Sequence, residues 1–256
     1  MPSPSPSALG RVLVIAGSDS GGGAGIQADI KTVTALGGYA ATAITAVTVQ
    51  NTLGVTGVHP IPLDVVAAQA RAVLSDIGAD AIKTGMLGDA AVVALVAELL
   101  DEAAVPAVVD PVMVAKGGAS LLAADAVAAV RERLIPRAAL LTPNAPEAEA
   151  LTGLPVATTD DLRRAGAALL ADRVVDLLMT PAGETAFEGE RIDSRHTHGT
   201  GCTLASACAA GLAQGLDLTS AVARAWDYVH NAMLCAPGLG AGHGPLDHAW
   251  PLRGRA

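Results

Sequence analysis

Short apolar runs alternate with longer stretches of helical spacing along this chain, and that alternation restricts it more than any other feature. Residues 11–16 (RVLVIA) form an unbroken apolar run ending at Gly17, as expected of a strand buried on both faces. A helical segment is predicted over 24–36, closed by Gly37 and Gly38, and a Thr/Val/Ile-rich strand over 41–49. The spacing of Val65, Val66, Gln69, Val73 and Ile77 predicts a helix over 64–77. Strand 80–84, helix 89–104, strand 107–109, helix 123–134 and strand 139–142 continue the pattern. Repeated strand–helix units argue for an α/β fold, a mostly parallel sheet with helices on both faces. In such sheets ligands bind beyond the carboxyl ends of the strands. Asp19, Gln50, Asp110 and Asn144 each fall just after a predicted strand. No linker or repeat interrupts residues 11–256, which read as one domain behind a flexible tail over 1–10.

The first strand runs into Gly17-Ser-Asp-Ser-Gly-Gly-Gly-Ala-Gly25. Backbone N–H groups beside a helix N-terminus suit an anion or a closely approaching ligand. No Gly-Lys-Ser/Thr follows, so this is not a Walker A loop. Gly23 to Ala28 fits the G-x-G-x-x-A form of the dinucleotide fingerprint, but Gln50 stands where that motif wants a ribose-binding acid. A dinucleotide oxidoreductase is therefore a distant reading. Asp29 lies inside the following helix among apolar residues, either solvated or turned toward a ligand.

The second chemical segment is His198-Gly-Thr-Gly-Cys202, ahead of a run of small residues. Successive N–H groups of Gly199, Thr200 and Gly201 at a helix N-terminus make an anion hole for a phosphoryl group in flight. A cysteine there is expected to have a lowered pKa, so Cys202 can serve as base or nucleophile. A thiol hydrolase using His196 or His198 is the competing chemistry, although histidines at this spacing more often orient a turn. Cys208 and Cys235 sit among Ala, Leu and Met and read as packing residues. Asp110 and Glu147 are candidates for Mg²⁺, which takes few carboxylates and keeps several waters. For Glu147 the helix start it occupies is explanation enough by itself.

Composition closes off other classes. The net charge is −9 and the only lysines are Lys31, Lys83 and Lys116, so no basic face for nucleic acid is visible. Aromatic residues are 2% of the chain, too few for base-stacking platforms. No apolar run is long enough to span a membrane, and Met1 to Ser7 lacks the features of a signal peptide. Three cysteines without a CxxC pair fit reduced thiols in the cytoplasm.

Six segments, in order, carry a resemblance: residues 16–31, 45–52, 83–87, 110–116, 142–148 and 198–203. Together they resemble the hydroxymethylpyrimidine/phosphomethylpyrimidine kinases of thiamine biosynthesis, within the ribokinase-like superfamily, over about residues 11–248. The resemblance implies a ribokinase-like three-layer sandwich, with ATP and Mg²⁺ as the phosphoryl donor. It implies two successive phosphorylations, of a hydroxymethylpyrimidine and then of its monophosphate, and a homodimer. By position, Gln50 would bond the aminopyrimidine, with Asp29, Gly17, Met86 and Val112 around it. Cys202 would be the catalytic base with Gly199, Thr200 and Gly201 as the anion hole. Asn144, Glu147 and Asp110 would serve the Mg²⁺–phosphate region. A pyridoxal kinase is the nearest alternative, since both substrates are flat rings bearing a hydroxymethyl group. One departure stands out between residues 171 and 192. The family's Gly-Gly-His turn has no counterpart, and the segment is shorter by about a strand and a turn. Either residues 174–180 replace the missing strand or an internal strand is absent. In the second case a non-catalytic binding protein becomes the alternative.

Overall fold

The computed structural model describes residues 9–113, 124–158, 161, 173–180 and 183–253. The tail over 1–8, residues 114–116 of the fourth resembling segment, and parts of the shortened 171–192 segment lie outside them. A six-stranded sheet has the order β3-β2-β1-β4-β5-β6. It comprises β1 (Arg11–Asp19), β2 (Tyr39–Asn51), β3 (Gly54–Pro60), β4 (Ala81–Thr84), β5 (Ala107–Val109) and β6 (Leu140–Leu141). All neighbours pair in parallel except β3, which returns antiparallel on β2. The connecting helices are α1 (Gly25–Ala35), α2 (Leu63–Asp76), α3 (Ala90–Ala103), α4 (Ala124–Ala129) and α5 (Ala145–Thr152). A hairpin of β7 (Arg173–Thr180) and β8 (Gly183–Glu190) forms a separate two-stranded sheet. Two further helices follow, α6 (Thr200–Ala213) and α7 (Leu218–Leu234).

Alternation along each strand sends side chains to two cores. Leu13, Ile15, Ile82, Ala107 and Val109 face one core, with Val66 of α2 and Val93, Val96 and Leu99 of α3. Val12, Val14, Ala16, Ala81 and Val108 face the other, with Ile26 and Val33 of α1 and the alanines of α6. Small residues let α6 lie close to its neighbours: a Cβ on Gly211 would meet Ala221 of α7. Asp89 caps α3 by accepting from the N–H groups of Ala91 and Val92.

Three elements depart from the sequence expectation. β3 was unforeseen because its two glycines and terminal proline lower strand propensity, yet pairing with β2 forms it. The helix expected over 123–134 is α-helical only to Ala129 and then widens into a π turn, Val130–Leu134, ahead of Pro136. Residues 174–180 do not take the missing strand's place in the main sheet. They form the outer hairpin, and no described strand lies beyond β6.

Candidate active site

A cavity of about 590 Å³ opens at the carboxyl ends of β1, β2, β4 and β5, between the Gly-rich loop and the start of α6. Gly17, Gln50, Met86, Val112, Asp110, Asn144, Glu147, Gly199, Thr200, Gly201 and Cys202 all line it. Asp29 does not. It is fully buried below the wall, where its Oδ1 lies 3.0 Å from Lys83 Nζ and accepts from Ser206 Oγ at 2.6 Å. The position expected for a ligand contact therefore belongs to a buried ion pair behind the site.

The Gly-rich loop is organised by Asp19. Its carboxylate accepts from the N–H groups of Gly21, Gly23 and Ala24 at 2.8–3.1 Å and lies 2.9 Å from His198 Nε2. Burial works to raise this carboxyl, but His198 and the loop N–H groups outweigh it and hold it below the ordinary range. Ser20 Oγ ties the loop to the end of β2, donating to Gln50 O and accepting from Gln50 N. The two glycine turns touch. Gly199 has φ 85°, and a Cβ on it would collide with the Gly23 carbonyl, so this contact admits only glycine. Gly17 leaves room for Met86, whose Cε occupies the space a side chain there would need.

Gly199 begins α6 without any side-chain cap. Helix geometry leaves the first-turn N–H groups without intrahelical acceptors. Thr203 is braced behind them: its hydroxyl lies 2.7 Å from Gly199 O and 3.0 Å from His248 Nε2. Burial lowers His248 to about 4, so it is neutral and donates to Thr203, which passes its own proton to Gly199 O.

Cys202 departs from expectation. Part of its surface is exposed, and that part faces the cavity. Burial pushes its thiol up to about 12; Lys83 and the Gly25 N–H pull it down, while Asp110 and Asp29 push it further up. The helix N-terminus does not make it a thiolate here, because burial outweighs the pull of Lys83 and two carboxylates add to the effect of burial. Lys83 Nζ is 3.0 Å from Asp29 and 3.6 Å from Asp110, all three buried. Burial also raises Asp110 to about 6, against the pull of Lys83. Glu147 rises to about 7, from burial first and Asp110 second.

Asp110 Oδ2 has no hydrogen-bond partner, although it is buried. Glu147 accepts from Asn144 N at 2.9 Å and Met113 N at 3.4 Å, and Asn144 Oδ1 accepts from Glu147 N. That reciprocal capping box commits the Asn144 oxygen to starting α5 rather than to a ligand. Two inward carboxylates with a spare oxygen suit a hard cation that brings its own waters. No group of three or more His, Cys, Asp or Glu fit to hold a metal occurs among the described residues.

Lys83, Arg191, Trp226 and His230 escape the sequence reading, and His198 is placed differently from it. Lys83 is the clearest, and its signal was present: a charged residue inside a buried strand must be paired. His198 lies on the cavity, not merely in a turn. Arg191, Trp226 and His230 line the far side from the hairpin and α7, without a motif to announce them.

A parallel sheet wound on both faces, with a glycine anion turn and a cavity at its strand ends, defines a small-molecule kinase of the ribokinase-like class. The profile of the family described as phosphomethylpyrimidine kinase matches residues 19–247. The chain belongs to this family. It is 51% identical over 255 positions to a hydroxymethylpyrimidine/phosphomethylpyrimidine kinase of Streptomyces coelicolor, spanning 94% of this chain and 95% of that one. An alignment of 255 positions that draws on 94% of 256 residues shows that the relative has residues this chain lacks. Among solved structures, the ADP complex of Bacillus subtilis pyridoxal kinase superposes with a TM-score of 0.88 at 35% identity, covering 96% of this chain and 100% of that one. The phosphomethylpyrimidine kinase of Clostridium difficile gives 0.76 at 37% identity, over 87% and 98%.

Proposed function

We propose that this protein transfers the terminal phosphate of ATP to 4-amino-5-hydroxymethyl-2-methylpyrimidine and then to the resulting monophosphate. The observation that carries the reading is the contact of two glycine turns, at Gly23 and Gly199, beside a cavity lined by Gly199, Thr200, Gly201 and Cys202. Gln50, Gly17, Met86 and Val112 surround the ring at the sheet end. The hydroxymethyl group points at Cys202, and the N–H groups of Gly199, Thr200 and Gly201 receive the phosphoryl oxygens. Cys202 takes the hydroxyl proton as its own thiol proton passes to Asp110, with which it is hydrogen-bonded. Asp110 and Glu147 fit Mg²⁺, which supplies charge neutralisation on the polyphosphate when bound. The nucleotide occupies the side lined by Asn144, Arg191 and Trp226.

We also propose a homodimer, a reading supported by exposed Val47 and Val49 of β2 at 43% and 63% beside Leu53 at 73%. Residues 11–256 act as one domain, in the cytoplasm, and no disulfide joins the described cysteines. No helix among the described residues is long and apolar enough to cross a membrane.

The test is an ADP-release assay with the hydroxymethylpyrimidine, its monophosphate and pyridoxal as separate acceptors. Turnover of the first two is expected. Turnover of pyridoxal alone would replace the reading with the alternative vitamin kinase, and turnover of none, with ATP still bound, would leave a binding protein.

A further inference from the structure

The cavity wall holds a hydrogen-bond chain whose protons can be counted. One end of the Gln50 amide lies 3.2 Å from Thr48 Oγ1 and the other 3.1 Å from His198 Nε2. His198 Nε2 also lies 2.9 Å from Asp19 Oδ2, and Thr48 Oγ1 is 2.9 Å from Ser18 O. A carboxylate accepts only, as does a carbonyl, so Asp19 requires the proton on His198 Nε2 and Ser18 takes the single proton of Thr48.

With the amide nitrogen facing His198, as placed in the structure, two donors oppose each other. Thr48 would then also have to donate one proton twice. Exchanging the amide nitrogen and oxygen removes both conflicts. Gln50 Nε2 then donates to Thr48 Oγ1, and Gln50 Oε1 accepts from His198 Nε2–H, which is shared with Asp19. Asp19 is itself pinned by three loop N–H groups, so the chain starts from a fixed acceptor.

We propose that His198, held by Asp19, is the positioning residue that fixes the Gln50 amide and thereby selects the acceptor ring. The fixed amide presents one N–H on the Thr48 side and one oxygen lone pair on the His198 side. A ring meeting both must carry an acceptor nitrogen next to an exocyclic amino group. The hydroxymethylpyrimidine offers that order. A ring with only an isolated acceptor nitrogen leaves the Gln50 oxygen without its second donor. His198 thus acts on specificity through Gln50 and takes no part in phosphoryl transfer. This inference rests on the proposed pyrimidine kinase reading for its choice of substrates, while its first test does not.

That first test is ¹⁵N NMR of the ligand-free protein. The His198 ring is expected to carry its neutral-state proton on Nε2, with scalar coupling across a hydrogen bond to an oxygen partner. A proton on Nδ1 overturns the proposal whatever the enzyme phosphorylates. The second compares kcat/KM for the aminopyrimidine and for the same ring lacking its amino group. The wild type is expected to prefer the amino compound by at least about tenfold, the order of one hydrogen bond. In His198→Ala the preference falls toward unity, mainly through KM of the amino compound. His198→Gln, which restores a donor, recovers part of it. An unchanged preference in a folded His198→Ala protein contradicts the proposal. Absence of turnover by the wild type would defeat the kinase reading instead, and the NMR result would still decide this one.

Discussion

Around the Gly-rich loop, every acceptor of the Asp19 carboxylate is met by the chain's own donors, and its pKa is held down. Across the cavity, Asp110 and Glu147 face each other with one buried oxygen unpartnered, and both are raised, to about 6 and about 7. One wall is finished by folding, whereas the other carries more carboxylate than the Lys83 ammonium beside it can balance. The difference teaches where each partner of the reaction contributes. The acceptor ring meets a rigid hydrogen-bonding frame, and the donor brings the cation that completes its own half. Cys202 lines the same cavity, and its thiol is raised by burial first and by Asp110 and Asp29 after it.

That contrast can be broken most severely at its centre. Cys202→Ala is expected to reduce kcat by about 10²–10⁴-fold if the sulfur handles the hydroxyl proton. Steady-state kinetics read this, with nucleotide affinity unchanged. Next comes Lys83→Met, which strands Asp29 and Asp110 without their shared cation. A loss of about 3–5 kcal/mol is expected. Thermal unfolding should register it as a Tm lower by roughly 10 °C.

Glu147→Gln sharpens the donor half. A glutamine oxygen still accepts from Asn144 N in the capping box but leaves Met113 N without its acceptor, so stability should fall slightly, while Mg²⁺ affinity should fall by about 10–100-fold. The smallest effect concerns pH. Glu147 rises from 4.5 to about 7 on folding, so the folded protein binds the proton more tightly than the unfolded chain. Its contribution to stability is present at low pH and lost as pH rises from about 4.5 through about 7. Without Mg²⁺, Tm should decline across that window, and Glu147→Gln should flatten the decline.

Much of the frame was legible in the sequence because burial writes itself as pattern. The spacing of Val66 and Val73 gave α2 to within a residue at each end, and the unbroken run before Gly17 gave the start of β1, which continues three residues past it to Asp19. The resemblance grouped Gly17, Gln50, Met86, Val112 and Cys202, and all five line one cavity. Asp29 could not be placed, because helical spacing alone does not say whether an acid meets a ligand or a lysine on the next strand. The Cys202 ionisation was misread for a related reason. A helix N-terminus is a local feature, but the burial that outweighs it comes from tertiary packing, with Asp29 of α1 and Asp110 just after β5 adding to it. Likewise Asn144 was legible as a strand-end polar residue, while its capping role needed the geometry of α5.

The most direct measurement is calorimetric titration of ATP with and without Mg²⁺, near pH 6.5, in buffers of different ionisation enthalpy. Binding with Mg²⁺ should be at least about tenfold tighter, and it should release protons as Asp110 and Glu147 surrender theirs to the incoming cation. ATP that binds equally well in chelator, with no proton released, would contradict a donor half completed by its cation.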